Sequence, residues 1–229
     1  MASGPSLDRI EAVLLDLDGT LVETDNRWAA QLAERLEPLK RLFKRLDTDT
    51  LARSLVMSVE MPANYAVSVM ERLGLTKAMR GLADRVRRSK GLATQRQSET
   101  VEGTLRLLEA LKGHYKLAVV TTRARPEAHA FVDSLGLRAY FPVVITRQDV
   151  FRMKPHPDPV LRAAEGLGVP PERCAMVGDT TMDVRAARRA GAYAVAVLSG
   201  FGSRRELERA KPHLLLNTAV ELLEHLPEG

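Results

Sequence analysis

Short hydrophobic runs alternate with longer amphipathic stretches along most of the chain. The run Ala12-Val13-Leu14-Leu15 is followed by Gly19 and Thr20, so the pattern predicts a buried strand over residues 10–16 that ends in a turn. From residue 99 onward, five further apolar runs predict strands: Lys116–Thr121, Val143–Ile145, Cys174–Gly178, Tyr193–Val197 and Leu214–Leu216. Five amphipathic segments predict helices: Val101–Leu111, Pro126–Leu135, Pro159–Gly166, Met182–Ala190 and Arg204–Lys211.

This alternation predicts an α/β fold, in which a doubly wound, Rossmann-like parallel sheet carries helices on both faces. Residues 25–98 interrupt the alternation, because they contain only helical patterns: about Asn26–Leu46, Ala63–Leu73 and Lys77–Gln97. We therefore expect residues 1–21 and 99–229 to form an α/β core domain. Residues 22–98 are predicted to form an inserted, all-helical cap domain.

The composition is that of an ordinary globular protein, with 45% apolar and 28% charged residues among 229. The net charge of +5 is concentrated in residues 22–98, which contain 15 basic and 9 acidic residues. A solvated helical surface explains this charge best, and attraction of an anionic substrate is the alternative. Nucleic-acid binding is disfavoured, because the segment shows no known nucleic-acid motif.

Membrane and secretory functions are also disfavoured by the sequence. No apolar stretch approaches the roughly 18–20 residues that cross a bilayer. The N-terminal residues lack the basic and apolar regions of a secretory signal, and a single cysteine, Cys174, allows no intramolecular disulfide. We therefore expect a cytoplasmic protein without membrane or nucleic-acid partners, present as a monomer or homodimer.

Two acidic residues, Asp16 and Asp18, follow the first predicted strand at a spacing that places both on one side of an extended chain. Because like charges this close repel each other, such a pair indicates a bound cation, a shared proton or a catalytic task. Mg²⁺ prefers oxygen ligands of this kind, and an ionised Asp can attack phosphorus. The end of this strand is therefore a candidate for phosphoryl-transfer chemistry.

Polar residues also follow the later strands. Thr121-Thr122-Arg123 ends the second predicted strand, and Gly178-Asp179-Thr180-Thr181-Met182-Asp183 follows the fourth. Lys154 precedes a proline-rich turn that leads into a helix. Ligands of doubly wound sheets gather at the carboxyl ends of the strands, so we expect these side chains to meet the first acidic pair.

Together these residues resemble the haloacid dehalogenase superfamily of phosphatases, in the form that carries a helical cap after the first motif. Four short motifs of that superfamily occur in order at the predicted positions: Asp16-Leu17-Asp18-Gly19-Thr20-Leu21, Val119-Val120-Thr121-Thr122, Lys154-Pro155-His156-Pro157-Asp158-Pro159 and Gly178-Asp179-Thr180-Thr181-Met182-Asp183. An Asp-x-Asp pair alone is common by chance, whereas the four motifs together are specific. The resemblance covers about residues 10–200, and the cap resembles the family only in position, size and helicity.

The resemblance implies a role for each motif residue. Asp16 would be the nucleophile that forms an aspartyl-phosphate, and Asp18 would be the general acid that then acts as a base. Lys154 would offset the negative charge of the nucleophile and the phosphate. The cofactor would be Mg²⁺, bound by Asp16, the backbone carbonyl of Asp18, Asp179 and, directly or through water, Asp183.

Further residues are candidates for binding the small phosphorylated substrate. The resemblance implies that Thr121 hydrogen-bonds a phosphate oxygen, assisted by backbone N–H groups near Thr122. Arg123 stands where family members often carry Lys, and Arg27 lies on the cap side of the first motif. Either arginine would grip a carboxylate or a second phosphate. Trp28 would stack on the substrate or pack in the cap, and a structural role is favoured for both Arg27 and Trp28.

The implied activity is Mg²⁺-dependent hydrolysis of a small phosphate monoester, as in phosphoglycolate phosphatases. Asp18 favours phosphoryl transfer over dehalogenation, because an alkoxide leaving group needs a proton and a halide does not. Pyrophosphate, a sugar phosphate or a nucleotide would fit the same site. The alternatives are a sugar-phosphate mutase, a phosphonate-cleaving enzyme with a cap lysine, and a non-catalytic regulator that binds a phosphate ligand.

Overall fold

Six parallel strands form one sheet in the computed structural model, which describes residues 5–23 and 100–227. The strands are β1 (Ala12–Leu15), β2 (Lys116–Val120), β3 (Val143–Ile145), β4 (Cys174–Gly178), β5 (Tyr193–Val197) and β6 (Leu214–Leu216). The α-helices of the described residues are α1 (Thr104–Leu111), α2 (Arg125–Ser134), α3 (Asp158–Leu167), α4 (Thr181–Ala190) and α5 (Arg204–Ala210).

The strand order is β3-β2-β1-β4-β5-β6, and every neighbouring pair is parallel. β1 lies in the interior of the sheet, where Ala12 pairs with Lys116 of β2 on one side and with Cys174 of β4 on the other. All four residues of β1 are fully buried, as expected of a strand whose two faces are covered. The strand order reverses between β1 and β4, which is where doubly wound sheets bind ligands.

Helices cover both faces of the sheet. Alternate strand residues point to opposite faces, so each face presents apolar side chains that the helices bury. Val13 and Leu15 of β1 belong to an apolar cluster with α1 and α2, whereas Leu14 belongs to a second cluster with α3, α4 and α5. A 3₁₀ helix over Ala219–Glu224, which the sequence pattern did not predict, buries Leu222 in the first cluster. The sheet therefore separates two cores and is supported from both sides.

The predicted α/β fold class is confirmed, and all six predicted strands occur. The largest difference in a helix boundary is at α1, which begins at Thr104 rather than at Val101. Gly103 has a φ of 83°, in the left-handed region, and so precedes the helix instead of lying within it. Thr100 forms an antiparallel bridge with Val22, so the chain is extended just before this point.

The chain divides into two units, one of Met1–Thr24 and Glu99–Gly229 and the other of Asp25–Ser98. The predicted helical cap, its three helices and the predicted contacts of Arg27 and Trp28 fall outside the described residues, and they stay predictions. Within residues 5–23 and 100–227, no helix is both long and apolar enough to span a membrane. The expected compartment, oligomeric state and partners also stay predictions.

Candidate active site

Three polar side chains follow adjacent strands at the carboxyl edge of the sheet. Asp16 directly follows β1, Thr121 directly follows β2, and Asp179 directly follows β4. Backbone pairing continues past two of these strands, because Asp16 N donates to the Val177 carbonyl and Thr121 N donates to the Ile145 carbonyl, each at 2.9 Å. The sheet therefore fixes the backbone from which these side chains extend, and it brings them together as the parallel topology predicts.

Lys154 is the cation at the centre of this group, on the loop between β3 and α3. Its side chain is 3% exposed. Its Nζ donates to Asp16 Oδ1 at 2.7 Å, to Asp183 Oδ1 at 2.5 Å and to the Val120 carbonyl at 2.9 Å. These acceptors use all three protons of an ammonium group. Lys154 is therefore a buried but fully hydrogen-bonded charge, which is the condition under which burial is tolerated.

Asp16, Asp179 and Asp183 form a buried acidic cluster, in which one carboxylate oxygen of each lies within 4.8 Å of the others. Asp179 Oδ2 accepts a hydrogen bond from Phe201 N at 2.7 Å. Asp179 Oδ1 is also buried, and it has no hydrogen-bond partner among the described residues. A buried carboxylate oxygen without a partner is unfavourable unless a cation or a ligand meets it.

Asp183 differs from Asp179, because both of its carboxylate oxygens have partners. Oδ1 accepts from Lys154, and Oδ2 accepts from Thr180 N at 3.0 Å and from Thr180 Oγ1 at 2.5 Å. Thr180 Oγ1 in turn accepts from Asp183 N at 3.4 Å, which completes a capping box at the start of α4. The helix start therefore fixes Asp183, and Asp183 helps to fix Lys154.

Burial and neighbouring charges shift the pKa values of these groups. Burial raises the pKa of Asp16 to about 7; Lys154 opposes this rise, and the carboxylates of Asp183 and Asp18 add to it. Burial also raises the pKa of Asp179 well above its ordinary value, and Asp16 and Asp183 raise it further. Burial lowers the pKa of Lys154, but its two carboxylate partners outweigh burial, so the pKa rises and the ammonium stays charged.

These residues fit a divalent cation. In ionised form, the three carboxylates of the cluster face one ammonium, so the described residues leave two negative charges in excess. Hard divalent cations prefer oxygen ligands, and Asp179 Oδ1 offers one without a competing partner among those residues. Asp16 and Asp179 are better suited to direct coordination than Asp183, whose two oxygens are already engaged.

The carboxylate of Asp18 lies outside the acidic cluster and pairs with Arg123. Arg123 Nε donates to Asp18 Oδ2 at 2.8 Å, and Nη2 donates to Oδ1 at 2.5 Å. Both side chains are partly exposed. A ligand can therefore reach the Asp18 carboxylate from solvent. The predicted metal contact of Asp18 concerns its backbone carbonyl, and it stays a prediction.

Thr121 lies next to this pair, with its side chain buried and its Oγ1 accepting from Arg123 N at 3.1 Å. A hydroxyl that accepts one hydrogen bond still has a proton to donate, which the predicted phosphate contact requires. Thr122 is half-buried in the bend that follows. The described residues thus include every predicted site residue except Arg27.

A loop after β5 also shapes the site, although its residues were not predicted to do so. Ser199 Oγ donates to the Gly19 carbonyl at 2.6 Å, and Phe201 N is the donor to Asp179. A Cβ at Gly200 would lie 2.0 Å from Asp179 Oδ2, so only glycine fits there. The available signal was the glycine-rich run Ser199-Gly200-Phe201-Gly202, one residue after the end of β5, which is typical of a close backbone approach.

Comparison of the chain with known proteins identifies its family. The haloacid dehalogenase-like hydrolase family matches residues 13–197. The chain is 30% identical to a probable phosphatase, IndB, of Dickeya dadantii, over 92% of this chain and 91% of that protein. It is also 30% identical to pyrophosphatase PpaX of Bacillus cereus, over 94% of this chain and 95% of that protein. Its identity to phosphoglycolate phosphatase of Shigella boydii is 30% as well, over 95% of this chain and 92% of that protein.

A solved structure shows the same fold. A haloacid dehalogenase-like family hydrolase from Streptococcus pneumoniae matches with a TM-score of 0.66 and 24% identity, over 95% of this chain and 98% of that chain. The family match begins within β1, ends with β5 and includes the acidic cluster and Lys154. The resemblance predicted from the four motifs is therefore confirmed, and the chain belongs to the haloacid dehalogenase-like hydrolase family.

Proposed function

We propose that the chain is a Mg²⁺-dependent phosphatase that hydrolyses a small phosphate monoester through an aspartyl-phosphate on Asp16. The observation that carries this proposal is the buried contact between Lys154 and Asp16, beside an Asp179 oxygen that has no partner within the described part of the chain. A carboxylate and a phosphate are both anionic, so attack of one on the other needs positive charge fixed in advance. The family and its phosphatase-named relatives support the same conclusion.

The first half-reaction transfers the phosphoryl group to the protein. A carboxylate oxygen of Asp16 forms a bond to phosphorus while the bond between phosphorus and the ester oxygen breaks. Asp18, two residues further along and partly exposed, donates its proton to the departing oxygen. Thr121 donates from its hydroxyl to a phosphate oxygen, and Lys154 stays bound to Asp16 throughout.

The second half-reaction releases inorganic phosphate. Water attacks phosphorus and gives a proton to the Asp18 carboxylate, and the bond between Asp16 and phosphorus breaks, which restores both aspartates. Mg²⁺, held by Asp16, Asp179 and the Asp18 backbone carbonyl, would supply positive charge between carboxylate and phosphate. Asp183 would orient Lys154, and it would bind the metal directly or through water, with its two oxygens also accepting hydrogen bonds from Lys154 and Thr180.

Pyrophosphate hydrolysis is a second candidate function, favoured by the identity to PpaX across almost the whole of both chains. The same nucleophile and cation would serve, because only the leaving group changes from an alkoxide to a phosphate. A sugar-phosphate mutase would return the phosphoryl group to a sugar instead of water. A non-catalytic regulator would bind a phosphate ligand without turnover.

Phosphate release from a panel of monoesters and pyrophosphate, with Mg²⁺ or with EDTA, tests the proposal. We expect release that requires Mg²⁺ and that falls by at least about 1,000-fold in Asp16→Asn, which cannot form the acyl phosphate. Lys116→Gln is the control, because Lys116 donates to the Leu167 carbonyl from the opposite end of β2. If the folded wild-type protein releases phosphate from none of these compounds, the phosphatase proposal is wrong.

A further inference from the structure

The ion pair between Arg123 and Asp18 has a geometry that bears on substrate choice. The guanidinium donates to both oxygens of the carboxylate, at 2.8 Å and 2.5 Å, in the two-pronged arrangement that arginine forms with carboxylates. Arg123 and Asp18 are 33% and 31% exposed, whereas Lys154 beside Asp16 is only 3% exposed. The Arg123–Asp18 pair is therefore accessible to a ligand, whereas the Lys154 ammonium is buried.

Arg123 is held at the site by contacts that do not involve Asp18. Its guanidinium carbon lies 4.5 Å from the centre of the Phe131 ring, in a cation–π contact with α2. Its backbone N donates to Thr121 Oγ1, and its carbonyl accepts from Arg147 N at 3.2 Å. The guanidinium can therefore keep its place when its carboxylate partner changes.

The proposed reaction requires this ion pair to open. Asp18 must face the ester oxygen of the substrate, and Arg123 holds both of its oxygens. A partly buried guanidinium that loses its carboxylate is left with hydrogen bonds that need new acceptors. A carboxylate or a phosphate on the substrate offers two oxygens in matching geometry, whereas a neutral leaving group offers none.

We propose that Arg123 exchanges Asp18 for a second anionic group of the substrate, a carboxylate or a phosphate, and so selects phosphate esters that carry such a group. This inference rests on the proposed phosphatase function and names its substrate class. The second anion then lies on the leaving-group side, beside the carboxyl group that handles the leaving oxygen. Binding of the correct substrate and release of Asp18 are one event.

Matched substrates isolate the effect of the second anionic group. 2-Phosphoglycolate and ethyl phosphate have two-carbon leaving groups that differ in one carboxylate, and pyrophosphate carries a second phosphate instead. We expect Arg123→Gln to lower kcat/KM at least about tenfold for 2-phosphoglycolate, for pyrophosphate or for both, and less than about threefold for ethyl phosphate. Arg162→Gln, which removes an exposed arginine paired with Glu165, should leave all three values unchanged.

A binding measurement makes the test independent of turnover. In the Asp16→Asn protein with Mg²⁺, calorimetry should show that Arg123→Gln weakens binding of a ligand with a second anionic group about tenfold and leaves ethyl phosphate binding unchanged. Equal losses for all three ligands would overturn the inference, because Arg123 would then only position Asp18. If the wild type hydrolyses nothing, the proposed function fails, and these binding ratios still decide the role of Arg123.

Discussion

Asp16 shows how burial and charge set the chemistry of a single residue. Burial raises its pKa from an ordinary value of 3.8 to about 7, even though Lys154 donates a hydrogen bond to it. A proton and a divalent cation therefore compete for the same carboxylate. Attack on phosphorus needs the ionised form, and a bound cation would favour that form by displacing the proton.

We predict that Mg²⁺ stabilises the protein more at about pH 8 than at about pH 5.5. Because the folded-state pKa of Asp16 lies above its unfolded value, its contribution to stability is complete below pH 3.8 and is lost as the pH rises to about 7. Mg²⁺ restores this loss where the proton has left. Thermal unfolding should show a gain in Tm of about 5 °C with saturating Mg²⁺ at the higher pH, and a smaller gain at the lower pH.

Asp16→Asn is the control for this pH dependence, because an amide does not titrate. Its gain in Tm from Mg²⁺ should be smaller and should vary less with pH than that of the wild type. An equal gain at both pH values in the wild-type protein would show that proton release from this site is not linked to metal binding.

The two other acidic residues of the cluster should respond differently to the same substitution. Asp183→Asn removes a group that orients Lys154, so we predict that Mg²⁺ binding weakens by about 10–100-fold, as for other groups that position a ligand. Asp179→Asn replaces the oxygen that has no partner in residues 5–23 and 100–227, and it should weaken Mg²⁺ binding more than Asp183→Asn does. Calorimetric titration compares the two variants, and a larger loss in Asp183→Asn would reverse their assigned roles.

At the scale of secondary-structure elements, α4 and α5 begin with the same capping motif but differ in what it supports. Thr180 and Asp183 form the capping box of α4, and Ser203 and Glu206 form that of α5. Both boxes stabilise a helix start in the same way. Of the two boxes, only that of α4 includes a residue that contacts Lys154, so this helix start fixes a side chain of the candidate active site.

Alanine substitution at the two caps tests this difference. We predict that Thr180→Ala and Ser203→Ala each lower the free energy of unfolding by about 1 kcal/mol, as measured by urea denaturation. Thr180→Ala should in addition lower kcat, because Asp183 loses the hydroxyl donor that holds it, whereas Ser203→Ala should leave kcat unchanged. Equal effects on kcat would mean that the start of α4 does not position the site.

The strands were predictable because helices cover both faces of the sheet, so each strand contains a continuous apolar run. β1 is the clearest case, since its four residues are all apolar and all fully buried. The start of α1 was not predictable, because it depends on the left-handed conformation of Gly103 and on the bridge between Thr100 and Val22. These are tertiary features that local periodicity does not encode.

The candidate active site shows the same contrast between features that the sequence shows and features that depend on tertiary structure. The positions of Asp16, Thr121 and Asp179 follow from strand ends that the sequence shows directly. The hydrogen bond from Phe201 N to Asp179 comes from the backbone, which side-chain identity does not reveal. The pair of Arg123 and Asp18 joins residues 105 positions apart, and a long arginine side chain on a loop has many possible partners.

At the scale of the whole molecule, fold and substrate are separate questions. The family match over residues 13–197 establishes the architecture, yet relatives with the same 30% identity are named for pyrophosphate and for phosphoglycolate. A fold supports many substrates, so the choice must come from residues beyond the shared chemistry. Among the described residues, Arg123 is placed to make that choice, because it is partly exposed beside Asp18.

Trapping the phosphorylated form of Asp16 tests the central claim most directly. The protein is mixed with Mg²⁺ and its preferred substrate, quenched in acid and reduced with borohydride, which converts an aspartyl-phosphate into homoserine that mass spectrometry locates. We predict that homoserine replaces Asp16, at no other aspartate, and only when substrate is present. Homoserine at a different residue, or steady phosphate release with no trapped product at any time, would contradict the assignment of Asp16 as the nucleophile.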